Sequence, residues 1–143
     1  MTALIDTCVI VDALQSREPF AQDAQTIFLL VANQQCTGYI TAKSVADIYY
    51  LTHKVLHSDS ETRKVMSKLF SLFSILDTTD MDCRKALSSE ISDYEDAIMV
   101  ESAIRSDVDV IVTRNIRDYK KSGVRILSPE EFLEEMTEEA SDV

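Results

Sequence analysis

The sequence predicts an α/β fold with a mostly parallel sheet and helices on both of its faces. Three observations predict it. Short apolar runs alternate with stretches of helical periodicity from Ala3 onward. The run Val108 to Thr113 contains Val-Ile-Val, which suits a strand buried on both faces. A length of 143 residues with 45% hydrophobic content fits one domain with a real core.

Taken in order, Ala3-Leu4-Ile5 reads as a short buried strand ending at Asp6. Thr7 is expected to cap a helix from Cys8 to about Leu14, and Arg17-Glu18-Pro19 breaks it. Phe20 to Asn33 places Phe20, Ala24, Ile27 or Phe28, and Val31 at helical spacing. Gly38 to Thr41 is the second strand. A helix from Ser44 to Leu56 follows, with a stripe of Val45, Ile48, Leu51 or Thr52, and Val55. After Ser60 to Arg63, another helix turns Val65, Met66, Leu69, Phe70 and Phe73 inward, and Ser74-Ile75-Leu76 is the third strand.

Thr79 to Asp82 resembles a capping box closed by Asp, and opens a short helix. Ser92-Asp93-Tyr94-Glu95 fits the S-x-x-E box at the start of a helix that runs through Ile104. Val108 to Thr113 is the fourth strand and Val124 to Leu127 the last. Ser128-Pro129-Glu130-Glu131 sets a cap, a first-turn proline and a glutamate in order, so residues 129 to about 136 should be helical with Phe132, Leu133 and Met136 inward. Residues 1–136 are thus one domain, and 137–143 an acidic, flexible tail. No internal repeat or linker interrupts the chain.

Several function classes are excluded. The longest apolar stretch, Ile27 to Ala32, is too short to span a bilayer, so no membrane role is expected. The N-terminus lacks the basic region of a secretory signal. Cys8, Cys36 and Cys83 are odd in number and widely spaced, as expected of reduced thiols in a cytoplasmic protein, and show no zinc spacing. With only Gly38 and Gly123, neither a P-loop nor a dinucleotide fingerprint can be written. His53 and His57 have the i, i+4 spacing of zinc helices, but Lys54 stands where H-E-x-x-H needs its glutamate.

The net charge of −11 is unevenly spread. Glu130 to Val143 carries seven acids and no base; without it, 18 acids face 14 bases. Five bases, Arg114, Arg117, Lys120, Lys121 and Arg125, fall within twelve residues. The overall acidity therefore does not exclude a polyanionic substrate.

The candidate chemistry is carboxylate chemistry. In open α/β sheets, ligands bind beyond the carboxyl ends of the strands, and Asp6 sits there directly after the first. Capping the following helix is the alternative for Asp6. Asp47 lies within Val45-Ala46-Asp47-Ile48-Tyr49-Tyr50-Leu51, where burial of a carboxylate is costly without a partner. Lys43 and Lys54 are the nearest bases, and neither is expected to pair with it. Asp96 follows the capping box, in a first turn whose positive helix end holds it ionised. Glu95 is expected to serve the cap, and Asp93 either joins the cap or adds a fourth carboxylate. Asn115 and Asp118 leave the strongest strand at its carboxyl end, where they can ligate a metal or steer the groups around it.

Four segments together resemble the PIN domain family, which includes VapC-type toxins. They are Leu4 to Ile10, Ser44 to Tyr50, Asp93 to Ala97, and Val112 to Tyr119, in the family's order and covering the chain up to Leu127. The resemblance implies a three-layer α/β/α domain with a mostly parallel sheet of four to five strands. It implies an endoribonuclease dependent on Mg²⁺ or Mn²⁺, a cognate antitoxin and a homodimer. Residue by residue it assigns catalysis and metal binding to Asp6, Asp47 and Asp96. Many members carry aspartate where this chain has Asn115, so Asp118 is expected to act as the compensating metal ligand. Thr7, Asp93, Thr113 and Asn115 are expected to orient the ligands by hydrogen bonds. Arg114, Arg117, Lys120 and Lys121 are expected to hold the RNA backbone.

Those residue types suit the reaction. Mg²⁺ takes oxygen ligands, uses one or two carboxylates and keeps several waters. Carboxylates about 4 Å apart repel by roughly 4 kcal/mol at an effective dielectric near 20, and a divalent ion relieves that repulsion. Two alternatives stand beside this reading. One is a PIN-like scaffold that has lost activity and binds RNA or protein, favoured by Asn115. The other is a dehalogenase-type phosphatase, which needs a second acid where this chain has Cys8.

Overall fold

The computed structural model describes residues 1–141. Among them, five strands form one wholly parallel sheet: β1 (Thr2–Ile5), β2 (Thr37–Thr41), β3 (Ser74–Leu76), β4 (Val110–Val112) and β5 (Ile126–Leu127). The spatial order is β3-β2-β1-β4-β5. The helices are α1 (Thr7–Leu14), α2 (Ala21–Ala32), α3 (Ala42–Leu56), α4 (Asp59–Leu72), α5 (Asp80–Ala86), α6 (Tyr94–Arg105) and α7 (Pro129–Ser141). A short 3-10 turn covers Ile116–Tyr119. The expected three-layer α/β/α architecture with a parallel sheet is the one observed.

The period-two alternation of the central strands sorts the core into two layers. Ala3 and Ile5 of β1, with Val110 and Val112 of β4, face α1, α2, α4 and α7, where Ile10, Ile27, Leu69 and Phe132 are buried. Leu4 and Ile111 point the other way, against Met99 and Val100 of α6 and the ring of Tyr119. Burying each such side chain contributes about 1.5–3 kcal/mol. On the second face, Asp82 ties α5 to α6. Burial alone opposes its ionisation, yet Arg105, the Thr79 amide and the Ser102 hydroxyl hold its pKa down to about 2.

The chain runs outward from β1 through β2 to β3, then crosses back to lay β4 on the other edge of β1. The order of connection therefore reverses between β1 and β4, the place where a crevice opens beyond the strands' carboxyl ends.

Several local expectations change. Asp6 rather than Thr7 caps α1, because its carboxylate accepts the Thr7 amide and Thr7 already lies in the helix. Asp93 rather than Ser92 caps α6, accepting the Asp96 amide at 3.0 Å. The helix starts at Tyr94, so Asp96 and not Glu95 holds the third helical position. The boxes at Thr79–Asp82 and Ser128–Glu131 form as expected. Phe20, Val55 and Phe70 are exposed rather than inward. Helix α7 continues past residue 136 to Ser141, with Leu133 and Met136 packed on the core, so residues 137–141 are helical; residues 142 and 143 of the expected tail lie outside the described residues.

Gly38 shows how tight this packing is. It stands beside Ala3 in the β1–β2 register, and a methyl there would lie 2.7 Å from a ring carbon of Phe73 and 2.9 Å from a methyl of Val31. Phe73 is fully buried and set edge-on against Phe28, so its ring has nowhere to retreat. Gly38→Ala should destabilise the fold by about 1–3 kcal/mol. Adding Phe73→Leu should recover part of that loss. Urea denaturation of the two variants measures both effects, and an unchanged midpoint in Gly38→Ala would contradict this packing.

Candidate active site

The crevice beyond β1 and β4 holds a cavity of about 400 Å³. Asp6, Asp47 and Asp96 all line it, together with Glu95, Asn115 and Lys43. These three carboxylates come from three separate parts of the chain and border the same opening.

Asp6 is the most tightly held. It is buried, and its Oδ1 accepts the Thr7 amide at 2.7 Å. Its Oδ2 accepts the Thr113 hydroxyl at 2.7 Å and the Tyr119 hydroxyl at 3.3 Å, with Cys8 Sγ at 3.7 Å. Thr113 thus orients Asp6 as expected, and its hydroxyl also accepts the Asn115 amide at 3.1 Å. Burial, and then the neighbouring Asp6, push the Cys8 thiol up to about 11, which leaves it a protonated packing group.

Tyr119 is the residue that sequence reasoning missed. Its ring is wholly buried, and its hydroxyl lies 2.9 Å from Asp96 Oδ1 as well as 3.3 Å from Asp6. Burial and the two carboxylates push its pKa far above the ordinary range, so it stays a donor. One hydroxyl spans two acids, and the shorter contact gives Asp96 the better bond. The available signal was a phenol at the end of the fourth motif, in an otherwise charged loop.

Asp96 carries the clearest electrostatic mark. Its pKa rises to about 6, chiefly through burial and further through repulsion from Asp93, Asp6 and Asp118, while the Tyr119 bond pulls the other way. Asp118 is exposed on the 3-10 turn and does not line the cavity. It acts on Asp96 through its charge. Asp93 is the cap of α6 and likewise stands outside the cavity lining.

Asp47 differs from expectation in having a partner. Lys43 lies one turn earlier on α3, and its Nζ is 2.5 Å from Asp47 Oδ2 and 3.2 Å from Glu95 Oε2. Burial alone would lower the Lys43 pKa; the bonds to Asp47 and Glu95 outweigh it and raise it. An ammonium therefore already sits between two of the acids. Among the described residues, no three His, Cys, Asp or Glu side chains are grouped closely enough to hold an ion as they stand. The donor set nonetheless suits a hard divalent cation. It is built from carboxylate, amide and hydroxyl oxygens, it concentrates negative charge, and it already draws in a cation.

The basic residues divide. Arg114 is not available to a substrate backbone, because Nε and Nη2 bond the buried Asp12 at 2.7 and 3.3 Å and its guanidinium lies 4.0 Å over the Phe20 ring. Asp12, 1% exposed, would be stranded without it. Arg117, Lys120 and Lys121 are exposed and make no ion pair with a described residue, but none lines the cavity. The bases that do are Lys43 and Arg17.

A PIN domain family model matches residues 2–117. The chain belongs to the PIN domain family. Similar folds occur in several solved structures. VapBC2 from Rickettsia felis, bound to a DNA fragment from its promoter, has 20% identity and a TM-score of 0.63, covering 90% of this chain and 98% of that one. DNA-bound VapBC from Salmonella typhimurium has 18% identity and a TM-score of 0.65 at the same coverages. A toxin–antitoxin complex from Klebsiella pneumoniae has 22% identity and a TM-score of 0.62, covering 89% and 97%. At these identities the likeness is one of fold. No curated protein is detectably similar to the chain in sequence. No described helix is long and apolar enough to cross a membrane, and all three cysteines are free.

The environment of Asp96 in this PIN domain has a measurable consequence. Its folded pKa of about 6 stands above the ordinary aspartate value of 3.8, so between those values the native state holds more protons than the unfolded state. The penalty for ionising Asp96 is therefore absent below about pH 4, grows as pH rises, and is complete above about pH 6. Asp96→Asn keeps an acceptor for Tyr119 and removes the charge. It should raise the thermal midpoint at pH 7.5 and change it little at pH 4. An equal change at both pH values would show that the carboxylate is not under this strain.

Proposed function

We propose that this PIN domain is a divalent-metal-dependent endoribonuclease, and the toxin of a toxin–antitoxin pair. The observation that carries the reading is that Asp6, Asp47 and Asp96 line one cavity at the switch point of the sheet, with Asp96 held above the ordinary carboxylate range chiefly by burial and then by repulsion from neighbouring acids. The VapBC and toxin–antitoxin assemblies that share the fold support the toxin assignment, and an antitoxin protein and a second copy of the chain as partners. The free thiols accord with a cytoplasmic protein.

Asp6, Asp47 and Asp96 would hold Mg²⁺ or Mn²⁺, with Glu95 and Asn115 on the same cavity wall. The bound ion supplies Lewis-acid polarisation of the phosphodiester and of the water that hydrolyses it. Thr113 and Tyr119 keep Asp6 and Asp96 aimed at the opening through their hydroxyls. Lys43 gives up its place between Asp47 and Glu95 and is then near enough to meet a phosphate oxygen. Arg117, Lys120 and Lys121 follow β4 and Thr113 in the chain and supply a basic margin for the RNA backbone.

Incubation of the purified protein with mixed RNAs should give cleavage that requires Mn²⁺ or Mg²⁺. Asp96→Asn should lose at least a hundredfold in rate while keeping its circular dichroism spectrum. Sizing the same sample should give the mass of a dimer. Mn²⁺ binding without any cleavage would favour the inactive scaffold, and metal-dependent cleavage surviving in Asp96→Asn would refute the site.

The basic margin has its own test. Reversing Arg117 and Lys120 to glutamate should weaken RNA binding and reduce the slope of log affinity against log salt by roughly 1.4, or 0.7 for each phosphate contact on a single strand. Mn²⁺ affinity should be unchanged. An unaltered slope would remove these residues from the binding surface.

A further inference from the structure

A second cavity, of about 340 Å³, adjoins the carboxylate cavity at Asn115. Asn115 lines both. The second is walled by Phe20 and Asp23 at the start of α2, Arg114 after β4, and Glu130 in the first turn of α7. Phe20 is a large aromatic residue left 40% exposed, at a position whose periodicity predicts burial. Its ring is not loose: the Arg114 guanidinium backs it at 4.0 Å, and Arg114 is itself pinned by the buried Asp12.

The charge pattern decides what fits. Two helices begin at this cavity, which by itself would favour an anion. Here, however, Asp23 and Glu130 occupy those first turns, and Arg114 is already neutralised by Asp12. Neither Asp23 nor Glu130 makes an ion pair with a described residue. The cavity therefore offers an aromatic surface, unpaired carboxylate acceptors and one amide, and it repels phosphate.

A flat, neutral ligand rich in donors is the complement of that surface. Unstacked RNA bases are held in this manner, by stacking on aromatic rings and by hydrogen bonds to their edges. Among the four bases, guanine alone presents two adjacent donors, N1–H and the exocyclic amine, at the spacing of a carboxylate's two oxygens. We propose that this cavity binds a guanine base next to the scissile phosphate, stacked on Phe20 and read by Asp23 and Glu130. The proposal rests on the endoribonuclease reading, and it makes Asn115 the divider between the reacting phosphate and the neighbouring base.

The test does not require cleavage. Guanosine, adenosine, cytidine and uridine monophosphates are titrated into the metal-free protein and followed by amide NMR, with ribose 5-phosphate as the control. Guanosine monophosphate should shift the amides of Phe20, Asp23, Asn115 and Glu130, and bind at least several-fold more tightly than the others. Phe20→Leu, which keeps apolar volume without the ring, should weaken it by roughly tenfold. Asp23→Asn should reduce the guanine preference, with its dispersed amide spectrum reporting an intact fold. No shift at these residues, equal affinity for all four nucleotides, or insensitivity to both variants would overturn the proposal. On cleavable RNA, Phe20→Leu should raise KM and leave kcat near the wild-type value. A protein that binds guanosine monophosphate here and cleaves nothing would retain this site and lose the endoribonuclease reading.

Discussion

The β1–β4 pairing is the constraint from which the site follows. Ile5 lies opposite Val112, and the next residue on each strand, Asp6 and Thr113, leaves the sheet at the same level. The Thr113 hydroxyl then reaches Asp6 at 2.7 Å, and the Asp6 amide donates to the Val112 carbonyl at 3.0 Å. The two residues are separated by 107 positions in the chain, so only the crossover that lays β4 beside β1 unites them. A one-residue slip would turn Asp6 into the apolar layer beneath and bring Ile5 to the opening. The alternation of Ala3, Leu4 and Ile5 between two buried layers opposes that slip, so core packing fixes the chemistry of the rim.

From this junction outward the site loses rigidity. Asp6 is buried and accepts from both flanking elements. Asp96 is half-buried, and the Tyr119 hydroxyl alone links it to Asp6. Asp47 is about half-exposed, Glu95 is largely exposed, and the two share one lysine. Exposed ion pairs of that kind contribute between nothing and about 1 kcal/mol. The Arg114–Asp12 pair belongs to another class: its carboxylate is buried, and removing the arginine alone would cost about 3–5 kcal/mol by stranding that charge. The loop after β4 is thereby held at both ends, by Arg114 on α1 and by Tyr119 in the second core layer.

Most of the fold was legible because local patterns and the tertiary answer agree. All five strands, the helices between them and two capping boxes follow from period and cap chemistry. The caps of α1 and α6 were displaced by one residue, since aspartate and its neighbour both suit the role and only tertiary position decides. Phe20, Val55 and Phe70 share their helical spacing with core residues, and spacing does not say how wide a buried stripe will be. The three carboxylates were readable from their places after a strand, inside an apolar helix and in a first turn. Their partners were not. The Tyr119 bridge spans 113 positions to Asp6, and the Asp12–Arg114 pair spans 102. No local pattern encodes such distances. Lys43 is a different case: its i, i+4 relation to Asp47 lies within one helical turn, so the pairing was locally encoded although it was not expected.

Charge decides whether so acidic a chain could present the phosphate-binding face proposed above. The glutamates of α7 lie mostly in solvent at the end of the chain, while its apolar residues pack on the first layer. Around the carboxylate opening, the acids are met by Lys43 and Arg17 on the cavity wall and by the exposed bases of the 3-10 segment beyond it. At ordinary ionic strength the Debye length is about 8–10 Å, so a phosphate at the opening feels mainly the groups within that radius and little of the remaining surplus. The relevant balance is local. A divalent ion set among Asp6, Asp47 and Asp96 would reduce the acid excess there by two charges and release Lys43 from its role as counter-ion. On the proposed reading, the acidity of the opening would draw the metal, and the metal in turn would make the opening tolerable to RNA.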